Sequence, residues 1–463
     1  MNTAPSTTTA KTPPTARPMR SNNLPALLAL FLAGAVGLGA SDNVPAVRST
    51  KPLLLRGATV HTVSGADLPA TDVLLKDGKI AAIGVKLVVP AGATIVDVTG
   101  KHIYPGLISA YTGMGLTELG SVRGSVDLAE TGLLNPNARA QPALNADSEH
   151  IPVSRSNGIL TALSVPLTTG LVAGTSTLIR MDGWTWEDLT LRSAAALHVY
   201  WPNLTVKRDP NFPRPAAEQQ KTIDENLRKI RDAFATARAY LRAKEGAGKP
   251  IDTDSRWDAM IPALQGVLPV FVHATEVKQI ESAVAWAKAE KLKITLVGGL
   301  DAWRVVDLLK ANDIAVIVSP VTALPLRRED PFDAPYTNPA KLHVAGVRFC
   351  IANDGASAEM GTMGDRNLPY EAGKAASYGL PPAEALKAIT LYAAQILGVG
   401  AELGSIETGK RATLIVTDGD PLEIPTRVEQ AYIDGARIDL SNRHIRLYEK
   451  YQKKYEQQKA SKS

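Results

Sequence analysis

Gly100-Lys101-His102-Ile103-Tyr104-Pro105-Gly106-Leu107-Ile108 runs on into Ser109-Ala110-Tyr111-Thr112-Gly113, and how this stretch is read decides how the rest is read. Side chains two apart on a strand point to one face. Tyr111 and Gly113 therefore share a face as the strand ends. A phenol ring and a bare backbone stand side by side there, and such a pair cannot bring two nitrogen ligands to one metal ion.

Three other stretches belong with this one. Leu403-Gly404-Ser405-Ile406-Glu407-Thr408-Gly409-Lys410-Arg411-Ala412-Thr413-Leu414-Ile415-Val416 leads to Asp418-Gly419-Asp420-Pro421-Leu422. Before it come Ala385-Leu386-Lys387-Ala388-Ile389-Thr390 and Ala393-Ala394-Gln395-Ile396-Leu397-Gly398, and in mid-chain Val272-His273-Ala274. In these segments the chain resembles the amidohydrolase superfamily: the approach to its first barrel strand, its fifth-strand V-H-A, its last helix and its closing G-S-(I/L)-E-x-G-K-x-A-D-L-(I/V)-V. Thr413 replaces the usual Asp of that closing segment. The likeness covers most of residues 52 to 437 and is greatest to secreted imidazolonepropionase-like members. It implies an α/β fold, a (β/α)8 TIM-like barrel with a small β-sandwich domain formed from both chain ends.

The 463 residues, 45% hydrophobic, suffice for a barrel of roughly 250 residues plus a second module. Residues 1–41 carry Lys11, Arg17 and Arg20 without an acid, then an apolar run from Ala26 to Ala40. This predicts a signal peptide cleaved near Gly39-Ala40 and an exported, periplasmic or secreted protein. The run is short for a membrane span, so no stable span is expected after cleavage. The pI near 9.0 comes from the ends. Residues 1–41 contribute +3 and residues 442–463 contribute +5, which leaves about −3 for the body, so no nucleic-acid groove is implied. The single cysteine, Cys350, rules out an intrachain disulfide and reads as a buried small hydrophobe.

Short β-type runs fill residues 52 to 99, and Asp77-Gly78 between two of them is a hairpin turn signal. Such a segment is too small to bury a core alone. Leu414-Ile415-Val416 and Ala431-Tyr432-Ile433-Asp434-Gly435 offer it partners, so residues 52–104 and 400–440 are expected to make one composite domain. Residues 105–399 form the barrel, where apolar runs at 270–273, 294–297, 314–318 and 347–352 alternate with helices. A helical insertion occupies about 200–262; in it Ile223, Leu227, Ile230, Phe234, Ala237 and Leu241 recur at helical spacing. It reads as a helix packed on the barrel's rim, a lid or dimer contact being the alternative. In the charged tail, 441–463, the spacing of Tyr448, Tyr451 and Tyr455 predicts a short docked helix with a frayed end.

The superfamily binds metal at the C-terminal ends of its strands, where barrel active sites sit. By that resemblance Tyr111 and Gly113 replace the two first-strand histidines. No lysine lies between Lys101 and Lys207 to be carboxylated, and Leu296-Val297-Gly298-Gly299-Leu300 has no histidine on the sixth strand. His273 and Asp354 remain as catalytic candidates, and with His198 they could hold one divalent ion such as zinc. A binuclear site is not expected. Each also has a structural alternative, a hydrogen-bonded core histidine or a paired carboxylate. Tyr111, Glu118, Arg123, Glu276 and Arg366 are the expected substrate-binding residues at the mouth, with an Glu118–Arg123 ion pair as the alternative for those two. Gly361-Thr362-Met363-Gly364 lacks a phosphate fingerprint, and no Gly-x-Ser-x-Gly elbow is present.

Two functions follow as expectations. One is an exported hydrolase of non-peptide C–N bonds in a small-molecule substrate, with an altered, at most mononuclear metal site. The other is a catalytically silent barrel that binds a small molecule or a partner; a dipeptidase-like hydrolase is a third, weaker reading.

Overall fold

Asp77 and Gly78 both take left-handed backbone angles, φ 51° and 76°, and fold two strands into the hairpin that the Asp-Gly pair announces. In the computed structural model, which describes residues 43–167, 170–207, 214–246, 252–353 and 361–461, these strands are part of an α/β fold. The expected signal peptide and Asp354 lie outside the described residues.

In chain order the strands are β1 (Leu53–Val60), β2 (Leu68–Lys76), β3 (Lys79–Gly84), β4 (Thr94–Asp97), β5 (His102–Pro105), β6 (Leu107–Thr112), β7 (Ile159–Ser164), β8 (Val172–Thr175) and β9 (Thr177–Arg180). They continue as β10 (Thr190–Arg192), β11 (Leu197–Tyr200), β12 (Val270–Ala274), β13 (Ile294–Gly298), β14 (Ala315–Val318), β15 (Phe349–Ile351), β16 (Leu414–Thr417), β17 (Val428–Ile433) and β18 (Ala436–Arg437).

The two chain ends build a single sheet. Its order is β18-β17-β16-β5-β1-β2-β3, with β4 also on β1, so eight strands form one mixed sheet rather than two hydrogen-bonded layers. β16 is the joint: Leu414 faces Pro105 and Thr417 faces His102 in an antiparallel register. Leu55, Val73 and Ile103 from the first end share a core with Leu414, Val416 and Tyr432 from the second.

The remaining strands carry the TIM-barrel-like part. β11 to β15 run parallel in one sheet, and β6 pairs with β7 in parallel in the other. β8 and β9, separated only by Ser176, are antiparallel to β11 and β7, so the sheets are mixed. Gly174, at φ 97°, lies where a Cβ would come within 2.2 Å of the Ala138 carbonyl oxygen, so only glycine passes. Ile108, Phe271, Val297, Ile317 and Cys350, from five strands, meet in an inner core. The alternate positions Val270, Val272, Leu296 and Val316 pack outward with Ile280, Ala283 and Val284 of the helix Val277–Ala289. Both faces of these strands are thus apolar, as parallel strands covered by helices require. Cys350 is fully buried, and burial pushes its thiol up, away from the reactive thiolate.

The insertion's long helix, Ala216–Gly246, buries Ile230, Ala233, Phe234 and Ala237. Phe234 meets Trp286 edge-on, with ring centroids 4.9 Å apart, which packs this helix against the helix Val277–Ala289. The tail differs from expectation. Its helix, Arg443–Ala460, begins where the Asn442 side chain accepts from the backbone of His444 and Ile445, but none of its residues is buried. Tyr448, Tyr451 and Tyr455 stay exposed, so the helix touches the body through its first turn, at His444 and Arg446, and not through its tyrosines.

Arg155 ends the helix His150–Arg155 in the interior, at 3% exposure. Its guanidinium donates to Asp182 Oδ1 at 2.7 Å and to Asn43 Oδ1 at 3.1 Å, while Asp182 Oδ2 accepts from the Ala46 backbone at 2.9 Å. Burial raises the Asp182 carboxyl and lowers Arg155 despite their pairing, so desolvation outweighs attraction in this buried pair.

Asp365 is fully buried as well. Ser109 Oγ donates to its Oδ1 at 2.7 Å, its Oδ2 has no partner, and burial pushes its pKa up to about 7. Its folded-state pKa lies above the ordinary 3.8, so the folded chain gains stability as pH falls from about 7 towards 4. Asp365→Asn removes that dependence. Urea unfolding should therefore show the variant gaining on the wild type by about 1–3 kcal/mol between pH 5 and pH 8. An equal difference at the two pH values would exclude a buried, proton-holding Asp365.

Candidate functional site

The strand quoted at the outset turns its ring inward by a break in register. β6 and β7 pair at Ser109↔Ala162 and again at Thr112↔Ser164, with an irregularity between, and Tyr111 joins the inner core beside Ile108 and Ala110. It is 2% exposed, and its ring lies against His273 with centroids 5.2 Å apart. Gly113 is closed to any side chain: a Cβ there would meet Thr362 Oγ1 at 2.8 Å and Leu128 Cδ2 at 2.9 Å. Gly298 and Gly299 take φ 99° and 57°, and a Cβ on Gly299 would meet Val316 at 2.8 Å. The positions without histidine are therefore filled or strained, not open.

What meets at the strand ends is an aromatic and imidazole cluster. Parallel pairing sets Tyr200 of β11 opposite His273 of β12, and their rings stack with centroids 3.9 Å apart and 7° between planes. His198, two residues before Tyr200, shares its face; its Nδ1 lies 2.9 Å from His273 Nε2. Phe271 closes the floor against His198, at 5.5 Å and nearly perpendicular. Tyr200 donates its hydroxyl to the Pro166 carbonyl at 3.0 Å and also hydrogen-bonds Tyr111.

Burial fixes the protonation states. His198 is pulled down to about 3, and His273 well below its ordinary value by burial and by His198. Both imidazoles are therefore neutral at pH 7, one donating to the other. Tyr200 is raised by burial and by Tyr111, so its hydroxyl keeps its proton. The cluster holds neutral bases and protonated donors with no carboxylate among its described members.

As a metal site this set is incomplete. His198 Nε2 is buried without a partner, and two imidazole nitrogens lie close together. Catalytic zinc usually takes three protein ligands, and among the described residues no group of three histidine, cysteine, aspartate or glutamate side chains comes together. The described residues alone do not fit a divalent ion.

The other expected residues are scattered. Glu276, at the start of the helix Val277–Ala289, accepts from Asn203 Nδ2 at 2.6 Å and Thr205 Oγ1 at 2.5 Å, so both of its oxygens hold the chain after β11. Glu118 keeps one buried, unpartnered oxygen, and Arg123 is exposed and donates to the Val126 carbonyl at 2.8 Å. No ion pair joins Glu118 to Arg123 among the described residues, because Arg123 turns to its own loop. Arg366 is misplaced by the sequence reading. Its carbonyl accepts from Asn157, two residues before β7 begins, so it sits where the parallel strands start, not at their mouth. Glu371, another polar residue of that region, is 7% exposed and accepts from the backbone of Val321 and Thr322, clamping the loop after β14. Tyr200 went unrecognised from sequence; the signal was its place two residues beyond His198 on one strand.

Comparison with known proteins gives the same direction. The sequence pattern described as the amidohydrolase family matches residues 263–439. An amidohydrolase of Hapsidospora irregularis is 24% identical over 86% of this chain, which spans only 44% of that relative's length. An imidazolonepropionase of Sphingopyxis alaskensis is 26% identical, covering 80% of this chain and 93% of the relative. Among solved structures, an amidohydrolase from Thermotoga maritima is similar with a TM-score of 0.74 and 25% identity, covering 84% of this chain and 99% of that one.

Proposed function

This chain belongs to the amidohydrolase superfamily and is imidazolonepropionase-like, and from that premise we propose that it is an exported hydrolase of carbon–nitrogen bonds in a small, non-peptide substrate. The observation that carries the proposal is the neutral His198–His273 pair under the Tyr200 ring, at the strand ends where barrel active sites sit. A neutral imidazole at this place can take a proton from water attacking an amide-like carbonyl. His198 orients the His273 ring by the contact to its Nε2, and the Tyr200 ring, its hydroxyl held by the Pro166 carbonyl, stacks on His273 and fixes its plane. Asp354, placed after β15 by sequence, is the carboxylate we assign to the same mouth. We hold the metal content to at most one divalent ion per chain.

A second reading has its own support. Tyr111 lies on His273 and the surroundings of Gly113 are packed, at the two positions that the resemblance aligns with the family's first metal ligands, which favours a silent barrel that only binds small molecules. Elemental analysis of the purified protein, together with turnover of a panel of cyclic and linear amides, separates the two. Turnover with zero or one equivalent of metal is the expected result. Binding without turnover of any member would favour the silent barrel, and two equivalents of zinc would refute both.

A further inference from the structure

Arg366, absent from the mouth, lines a cavity of about 570 Å³ at the other end of the strands. The cavity has two kinds of wall. Arg366, Arg427, His444 and Asn157 make the polar side, and Ile424 and Ile445 the apolar one. Arg366 donates through Nη1 to His444 Nδ1 at 3.1 Å, a neutral acceptor that leaves the guanidinium's charge uncompensated. Arg427 engages only its backbone: its N–H goes to Asp418 Oδ1 at 2.7 Å, and its guanidinium has no carboxylate partner among the described residues. No aspartate or glutamate lines the cavity. Acidic side chains of the neighbouring segments are engaged elsewhere, Asp365 inward by Ser109, Glu149 by Arg446, Asp418 by the Arg427 backbone and Asp439 by Ser441. Ile424 is 75% exposed and Ile445 40% exposed, an apolar surface beside two unpaired cations.

We propose that this cavity binds a small organic anion, an oxyanion group held between Arg366 and Arg427 with its apolar body against Ile424 and Ile445. Planar guanidinium forks match carboxylate and phosphate oxygens, and such charge-assisted contacts are the strong ones. His444 Nε2 is left to donate once its Nδ1 accepts from Arg366, giving the oxyanion a third donor. The site is separate from the His198–His273 cluster, so its occupation does not depend on the chemistry proposed there.

Isothermal titration of the full chain with benzoate and with phenyl phosphate, in constant chloride, tests the proposal. At least one of these probes should bind saturably and more tightly than inorganic phosphate. Arg366→Gln and Arg427→Gln should each weaken that binding by about tenfold, the worth of one charge-assisted hydrogen bond. Both guanidinium groups are exposed, so the variants' melting without ligand should match the wild type, and circular dichroism verifies that they are folded. A preference for benzoate marks a carboxylate ligand, and a preference for phenyl phosphate a phosphate ester. No saturable binding by the wild type, or unchanged binding by the double variant, overturns the assignment.

Discussion

A chain ending at residue 403 should accumulate in the insoluble fraction and, if refolded, show no cooperative melting transition. The deletion takes β16 from between β5 and β17, leaving the β5 edge and one face of the first five strands bare. It removes Ile406, Leu414, Val416 and Tyr432 from a core they share with Leu55, Val73 and Ile103. Burying each such side chain contributes about 1.5–3 kcal/mol, so the four together approach the roughly 5–15 kcal/mol by which a whole domain is stable. The measurement is a circular dichroism melt beside the full chain. A truncated protein with the parent's transition would show that the two ends do not support each other.

Arg155→Met should cost about 3–5 kcal/mol, because among the described residues it leaves the interior Asp182 carboxylate with the Ala46 amide alone as partner. Asp182 also orients Arg155 towards Asn43, so the loss loosens the chain before β1 as well. The double variant Arg155→Met/Asp182→Leu should recover most of the loss, since burial costs this pair more than its attraction returns. Chemical denaturation of the wild type, both single variants and the double variant gives the coupling. Additive single effects would mean that the two charges do not depend on each other in the folded chain.

Elements governed by local rules were legible in the sequence. The Asp77-Gly78 turn, the apolar strands near 270, 294, 314 and 349, the amphipathic helix around Phe234 and the tail helix all appear where spacing and turn chemistry place them. Pairing direction was not legible. The reversal at β8 and β9 depends on Gly174 passing close to the Ala138 backbone, a contact made across 36 positions of sequence. The tail helix was expected to dock because its tyrosines share a face, yet periodicity says which residues share a side and not what covers it. The site was half legible for the same reason. His198 and His273 stood out as residue types, whereas the inward turn of Tyr111 needs a register irregularity, and Tyr200 becomes a partner only through pairing with β12. Arg366 failed most plainly: distance from a strand in sequence does not tell which end of the strand a side chain faces.

The place of β16 also sets a timetable for synthesis. β5 ends at Pro105, and the strand that must lie beside it starts at Leu414, about 300 residues later. At roughly 5–20 residues per second, the first five strands leave the ribosome and wait on the order of 15–60 s for their neighbour. During that interval their apolar face and the β5 edge are open to holding chaperones and to other nascent chains. The N-terminal module is therefore among the first parts made and the last completed, and yield in cells depends on how well that wait is guarded.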